Sequence, residues 1–188
     1  RVLRSLADVV LVGAGTMRAE RYGPVRFDDE VRAQRAGRGQ TAVPPIAVVT
    51  RSGDLDWSSP FFTEAEARPI VFTTRDLDPG VRRRGEAVAE LVTAGQDRVD
   101  PRLALDHLHG AGYRSVLLEG GPRLNAEVAA AGLLDELCLT LSPRLVAGDG
   151  PRVLAGSELA SPLQLEVVHV LEEDGFLFYR LALDVAAT

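Results

Sequence analysis

Two consecutive glycines, Gly120 and Gly121, stand between an apolar run at 116–118 and a helix-like pattern made by Leu124, Val128 and Leu133. Glycines let the backbone pass close to a bound group, and the first turn of a helix offers unpaired N–H groups and the positive end of its dipole. Such a turn, running on through Pro122, Arg123, Leu124 and Asn125, suits a phosphate or pyrophosphate. A tight strand-to-helix turn without a ligand accounts for the same residues equally well. Gly13, Ala14, Gly15 and Thr16 close a second apolar run at 8–12, and the Thr16 hydroxyl suits both a cap for its own helix and a contact to a phosphate. The third glycine of the dinucleotide fingerprint G-x-G-x-x-G is missing there, with Arg18 in its place, so a standard Rossmann domain is disfavoured. Thr50, Arg51 and Ser52 end a third run, 46–50. An arginine and a hydroxyl at the end of a parallel strand suit an extra phosphate, such as the 2′-phosphate of NADP, and Arg51 reads equally as a solvated turn residue.

These stretches need a frame that brings them together. Val2, Leu3 and Leu6 read as the end of a helix that runs into the strand at 8–12. Residues 21–45 are polar and rich in Gly, Arg and Pro; they read as a long solvated loop with a helical turn around 30–35, in which only Tyr22 and Arg26 lie close to the preceding turn. Strands follow at 46–50 and 69–74, a helix at 79–91, a second helix through Leu103, Leu105 and Leu108 to Gly112, then the strand and helix of the double-glycine turn. Alternating strand and helix argues a parallel α/β sheet with ligands beyond the carboxyl ends of its strands. All three candidate turns lie at such ends. Strands at 136–142, 165–171 and 176–183, the last two joined by the tight turn Glu173-Asp174-Gly175, make the C-terminal third antiparallel. The expected fold is an α/β mixed sheet, mainly parallel, closed by a C-terminal antiparallel hairpin, with helices on both faces.

Composition bounds the function. The 188 residues suit a single domain, and a 46% hydrophobic, 26% charged chain is that of an ordinary soluble globular protein. A net charge of -6 argues against nucleic-acid binding. All 21 basic residues are arginine, which suits bidentate phosphate contacts. The single cysteine, Cys138, excludes an intrachain disulfide and a cysteine-based zinc cluster; in its apolar run it reads as buried filler. No apolar stretch reaches the ~20 residues that span a bilayer, so the expectation is a cytoplasmic protein without membrane partners. His107 and His109 flank a helix end without a third ligand at suitable spacing, and His169 reads as a sheet-face residue. Asp135 and Glu136 read as surface charges. Trp57, Phe61 and Phe62 suit either local packing or a partner surface.

The segments LADVVLVGAGTMRAE, IAVVTRSG and VLLEGGPRLNAEVAAAGLLDELCLTLSPRLVAGDG, in this order, resemble the riboflavin-pathway pyrimidine reductase family, whose fold resembles dihydrofolate reductase. The resemblance covers nearly the whole chain. It rests mainly on the EGGP-x-L turn and on L-x-DEL-x-L-x-x-x-P-x-L-x-G after it; the GAGT segment alone would not carry it. The chain is most similar to the stand-alone reductase-like members, because it holds no deaminase domain with zinc ligands.

The resemblance implies NADPH as cofactor and a small pyrimidine-type substrate. Thr16 and Glu20 would contact the cofactor, as would Gly13 and Gly15 of the same turn, Arg51 would lie near the 2′-phosphate with Thr50 and Ser52, and the turn from Gly120 to Asn125 would hold the pyrophosphate. Glu119 and Tyr22 would face the substrate and Arg26 its phosphate. A homodimer is also implied. Two departures stand out. The family's aspartate and proline near the end of the first turn segment are replaced by Glu20-Arg21-Tyr22-Gly23-Pro24. The family's N-terminal strand beside the nicotinamide has no counterpart, and Arg1 is not a methionine, so the natural protein is expected to begin some tens of residues earlier and to carry there the residues beside the nicotinamide. Three functions remain open at this stage: an NADPH-dependent pyrimidine reductase, a pterin reductase resembling dihydrofolate reductase, and a nucleotide-binding dimer without turnover.

Overall fold

The computed structural model describes residues 2–150, 152–156 and 159–183. Helix α1 (Val2–Leu6) leads into strand β1 (Val9–Gly13), an inner strand of the parallel sheet. Helices α2 (Ala14–Ala19) and α3 (Asp29–Gly37) follow, then β2 (Ile46–Val49), the single turn α4 (Pro60–Thr63), β3 (Ile70–Thr73), α5 (Pro79–Val88), β4 (Glu90–Thr93), α6 (Pro101–Gly110), β5 (Val116–Leu118) and α7 (Pro122–Ala130). The chain then makes β6 (Glu136–Leu141), β7 (Leu165–Glu173) and β8 (Phe176–Leu183). The parallel strands pair in the order β4-β3-β2-β1-β5, and the antiparallel ones form a three-stranded sheet, β6-β8-β7. The parallel and antiparallel parts expected from sequence are both present, as two hydrogen-bonded sheets.

Strand β1 is buried on both faces, which is why it reads as an unbroken apolar run. Val9 and Leu11 point to a core with Phe72, Leu108, Leu124 and Val128, beneath α6 and α7. Val10 and Val12 point to the opposite core with Met17, Phe61, Phe62 and Ala89, beneath α2, α4 and α5. The aromatic cluster is therefore internal packing: Phe61 and Phe62 are buried, and the Trp57 ring lies 4.9 Å from Phe62.

Aspartate caps start three helices. Asp28, Asp78 and Asp100 accept backbone N–H groups of α3, α5 and α6, and proline follows Asp78 and Asp100 at the first helical position. Asp8 ties β1 to β5: its Oδ2 accepts the N–H groups of Arg114 at 2.8 Å and Ser115 at 3.0 Å. The turn of the C-terminal hairpin has Asp174 and Gly175 both at positive φ, the conformation of a two-residue type I′ loop, and Glu173 pairs with Phe176.

Several local expectations are corrected. The helix read at 79–91 stops at Val88, and Glu90–Thr93 is an edge strand; Leu91 lies three residues beyond Val88, so one helical period runs on into the strand. Residues 21–45 are not merely a solvated loop, because α3 buries Arg35 completely. Cys138 is exposed, since the three-stranded sheet leaves most side chains on both of its faces open. Among the described residues no helix is long and apolar enough to cross a membrane, and no group of side chains could hold a metal ion.

Candidate functional site

The parallel strands end on one edge, and the first and last glycine turns meet there. The Gly13 N–H donates to Gly120 O at 2.6 Å, which closes β1 against the end of β5. Gly120 has φ 87, a conformation that side chains resist. Gly121 leaves no room for a methyl group: a Cβ there would lie 2.6 Å from Thr16 Oγ1. The two turns thus meet, with Thr16 against Gly121, a relation that sequence spacing could suggest only through the rule about strand ends.

Helix α2 starts at Ala14 with Gly13 as its N-cap residue, so Thr16 is not the N-cap residue expected from sequence. Its hydroxyl makes no hydrogen bond among the described residues and faces Gly121. Helix α7 likewise starts on a glycine, Gly121, followed by Pro122, and no side chain caps it. Its first-turn N–H groups are therefore open to an anion, where those of α3, α5 and α6 each meet an aspartate. Asn125 N–H bonds back to Gly121 O at 2.9 Å, and its side-chain Nδ2 donates to Val153 O at 3.0 Å, leaving Oδ1 buried without a partner. Leu124 is buried in the core, so only its backbone faces the turn; Arg123 is exposed at the start of α7, as is Gly15 on α2.

The third stretch lies one strand over, because β2 pairs with β1 in parallel register, Gly13 opposite Val49. Thr50 is buried and its hydroxyl accepts the Gly53 N–H at 3.1 Å, which shapes the turn. Arg51 and Ser52 are exposed beyond it, and the Arg51 guanidinium has no partner among the described residues. Arg18 Nη1 donates to Asp54 O at 2.6 Å and so fastens α2 to this turn.

A cleft of about 520 Å³ opens beside the glycine turns, lined by Arg4, Thr16, Glu20, Arg21, Tyr22, Gly23 and Glu119. Glu119 is its most connected group. Arg4 grips it with a fork, Nε to Oε1 at 2.7 Å and Nη2 to Oε2 at 2.6 Å, and the Tyr22 hydroxyl donates to Oε2 at 2.6 Å. The Arg4 guanidinium also lies 4.9 Å from the centre of the Tyr22 ring. Burial favours the uncharged acid, but the hydrogen bonds from Arg4 and Tyr22 outweigh it and hold the Glu119 carboxyl below its ordinary range. Burial, and then the bond to Glu119, pushes the Tyr22 phenol up to about 12. At neutral pH the bonded cluster of Glu119, Arg4 and Tyr22 is a carboxylate, a guanidinium and a protonated phenol.

Of the expected substrate residues, Glu119 and Tyr22 come together in this cleft. The Arg26 side chain instead bonds Glu64 O at 3.0 Å, and Arg21 is the arginine of that segment that lines the cleft. Sequence reasoning missed Arg4 altogether. Its partner is 115 residues away, and no local pattern marks it.

The family model of the RibD C-terminal domain matches residues 2–175. A 2,5-diamino-6-ribosylamino-4(3H)-pyrimidinone 5′-phosphate reductase of Methanothermobacter thermautotrophicus is 30% identical over 189 aligned positions, covering 95% of this chain and 82% of the relative. A protein of the same name from Archaeoglobus fulgidus is 27% identical, over 91% of this chain and 78% of its own. Among solved structures, a pyrimidine reductase-like protein from Corynebacterium diphtheriae matches with a TM-score of 0.84 and 25% identity, over 97% of this chain and 78% of that one.

Proposed function

The chain belongs to the RibD C-terminal domain family, and from that premise we propose that it is an NADPH-dependent reductase of riboflavin biosynthesis acting on a ribosylaminopyrimidine phosphate. The observation that carries the reading is the meeting of the uncapped α7 N-terminus, the crowded Gly121 and the Thr16 hydroxyl, unpartnered among the described residues, on one surface beside the cleft that Thr16 lines. That surface fits a nicotinamide dinucleotide. The open N–H groups of Gly121, Arg123 and Leu124 and the Thr16 hydroxyl would hold the pyrophosphate, Glu20 lies at the cleft wall beside them, and Arg51 with Ser52 would take the 2′-phosphate.

A reduced nicotinamide held there would supply hydride to an opened ribosyl group, which with a proton taken up from solvent would become a ribityl chain. The chain's own residues bind and orient. Glu119, kept ionised, accepts a hydrogen bond from an N–H or O–H of the substrate, and Arg21 suits the substrate's phosphate better than Arg26, which is held by Glu64. The protonated Tyr22 keeps the carboxylate from turning away. These roles are alignment and electrostatics rather than covalent chemistry. A homodimer fits the same reading. Leu139, Leu141, Val167 and Val170 share one face of the three-stranded sheet and are exposed, apolar area that a second copy would cover and that the molar mass in solution would report. A cytoplasmic site of action is part of the proposal.

The direct test is turnover. Incubated with NADPH and 2,5-diamino-6-ribosylamino-4(3H)-pyrimidinone 5′-phosphate, the full chain is expected to consume NADPH, seen as loss of absorbance, and to form the ribitylamino product by mass spectrometry. Nucleotide binding with no product from this pyrimidine or from its deaminated uracil counterpart would overturn the reductase reading.

A further inference from the structure

The Arg4–Glu119 fork uses hydrogen-bonding capacity in a way that can be counted. An ionised carboxylate has about four acceptor positions, two on each oxygen. Glu119 Oε2 receives two donors, Arg4 Nη2 and the Tyr22 hydroxyl, while Oε1 receives one, Arg4 Nε. Among the described residues one position is left, on Oε1, in a side chain that is 19% exposed and lines the cleft. The groups that hold this geometry come from three separate parts of the chain: Arg4 from α1, Tyr22 from the segment after α2, and Glu119 from the end of β5. Helix α1 is itself fixed from outside. Arg35 Nη1 donates to Ser5 O at 3.0 Å and Ala7 O at 2.8 Å, Arg38 Nη2 to Ser5 O at 2.7 Å, and Gln40 Nε2 to Leu6 O at 2.9 Å. A five-residue helix has no stability of its own, so these carbonyl contacts set where Arg4 stands.

We propose that Arg4 is a positioning residue of the reductase: by gripping both oxygens of Glu119 it leaves a single oriented acceptor for one N–H or O–H donor of the substrate, and it does so from a helix clamped by the α3 segment. The proposal rests on the reductase reading for its substrate, but the fork itself can be tested without turnover. Among the described residues, the charged and titratable groups that line the cleft with Glu119 are Arg4, Tyr22, Glu20 and Arg21, and of these Arg4 and Tyr22 alone bond the carboxylate, so Arg4 supplies its bonded cation. Arg21 makes no bond to it among the described residues.

The experiment uses Arg4→Met, Arg4→Lys and Tyr22→Phe in the full chain, with two readouts. The first follows the Glu119 carboxyl carbon by NMR during a pH titration, identified by its loss in Glu119→Gln. Arg4→Met is expected to move its titration upward from below the ordinary carboxylate range, Arg4→Lys to move it less, and Tyr22→Phe least. The second follows kinetics with the pyrimidine above. Arg4→Met is expected to raise KM for the pyrimidine by about 10–100-fold while KM for NADPH changes by less than about twofold, and adding Glu119→Gln is expected to cost little more, because the carboxylate has already lost its alignment. Arg4→Lys, which keeps charge and loses the fork, is expected to recover only part of the loss. An unchanged Glu119 titration in both Arg4 variants, or losses for Arg4→Met and Glu119→Gln that multiply independently, would overturn the proposal. Should Arg4→Met fail to fold, the Arg4→Lys and Tyr22→Phe titrations decide it alone. A wild type with a low-titrating Glu119 that Arg4→Lys raises, and no turnover of either pyrimidine, would support the fork and sink the reductase reading instead.

Discussion

Replacing Gly121 with alanine is expected to weaken NADPH binding by about 10–100-fold while the protein stays folded. A Cβ at 121 would lie 2.6 Å from Thr16 Oγ1, closer than real Cβ contacts come, and Thr16 is a short, branched side chain with little room to retreat. Relief would have to come from a shift of the turn or of the first turn of α7. Either movement takes backbone N–H groups away from the pyrophosphate. Each charge-assisted hydrogen bond of that kind is worth about 1.5–3 kcal/mol, and roughly 1.4 kcal/mol is a factor of ten. Gly110→Ala, at the end of α6 where an added Cβ meets nothing within 4 Å, is the control and should bind as wild type does. Fluorescence titration with NADPH reads both. Wild-type affinity in Gly121→Ala would mean that the glycine turn is not where the nucleotide's phosphates sit.

The second large effect is on stability. Arg35 is 0% exposed, yet it is bonded only to main-chain carbonyls: Thr41 O at 2.7 Å through Nε, and Ser5 O, Ala7 O and, at 3.4 Å, Arg4 O through Nη1. Its guanidinium also lies 5.8 Å from the centre of the Phe27 ring, and Nη2 has no partner. Burial and the nearby Arg38 depress its pKa, partly offset by Asp8, which marks how poorly solvated the charge is. Methionine would fill much of the volume but remove the donors to the Ala7 and Thr41 carbonyls, while Ser5 O would keep Arg38 Nη2. Arg35→Met is therefore expected to cost about 3 kcal/mol, a fall in Tm of roughly 6–12 °C for a chain of this length. Arg35→Lys should fall between, since one ammonium cannot span the same carbonyls. A Tm within about 1 °C of wild type for Arg35→Met would show that the clamp carries no stability.

What could be read from the sequence followed how local its cause was. The glycine turns, the buried strands and the Asp174-Gly175 hairpin are written in short stretches, and each is found where those stretches put it. The edge strand at Glu90–Thr93 was hidden because Leu91 continues the period of α5. Thr16 was read as a cap because hydroxyls favour that place, but Gly13 begins the helix and frees the hydroxyl for the cleft. Arg35 looked like one charge among many in a polar segment, and Arg4 like the polar side of a helix end. Their partners lie about 30 and 115 residues away, and no spacing rule reaches that far. The two glycine turns were therefore legible in their parts, while the grip of Arg4 on Glu119 was not.

The measurement that bears most directly on the central claim compares NADPH with NADH by fluorescence titration of the full chain, in wild type and in Arg51→Ala. Arg51 stands exposed and unpartnered at the end of β2, one strand from the glycine turns, where a 2′-phosphate would lie. The account predicts tighter binding of NADPH than of NADH, by about tenfold or more, and a preference that largely disappears in Arg51→Ala while NADH binding is unchanged. Binding of neither nucleotide by the folded chain would contradict it, and would leave the glycine turns as features of the fold alone.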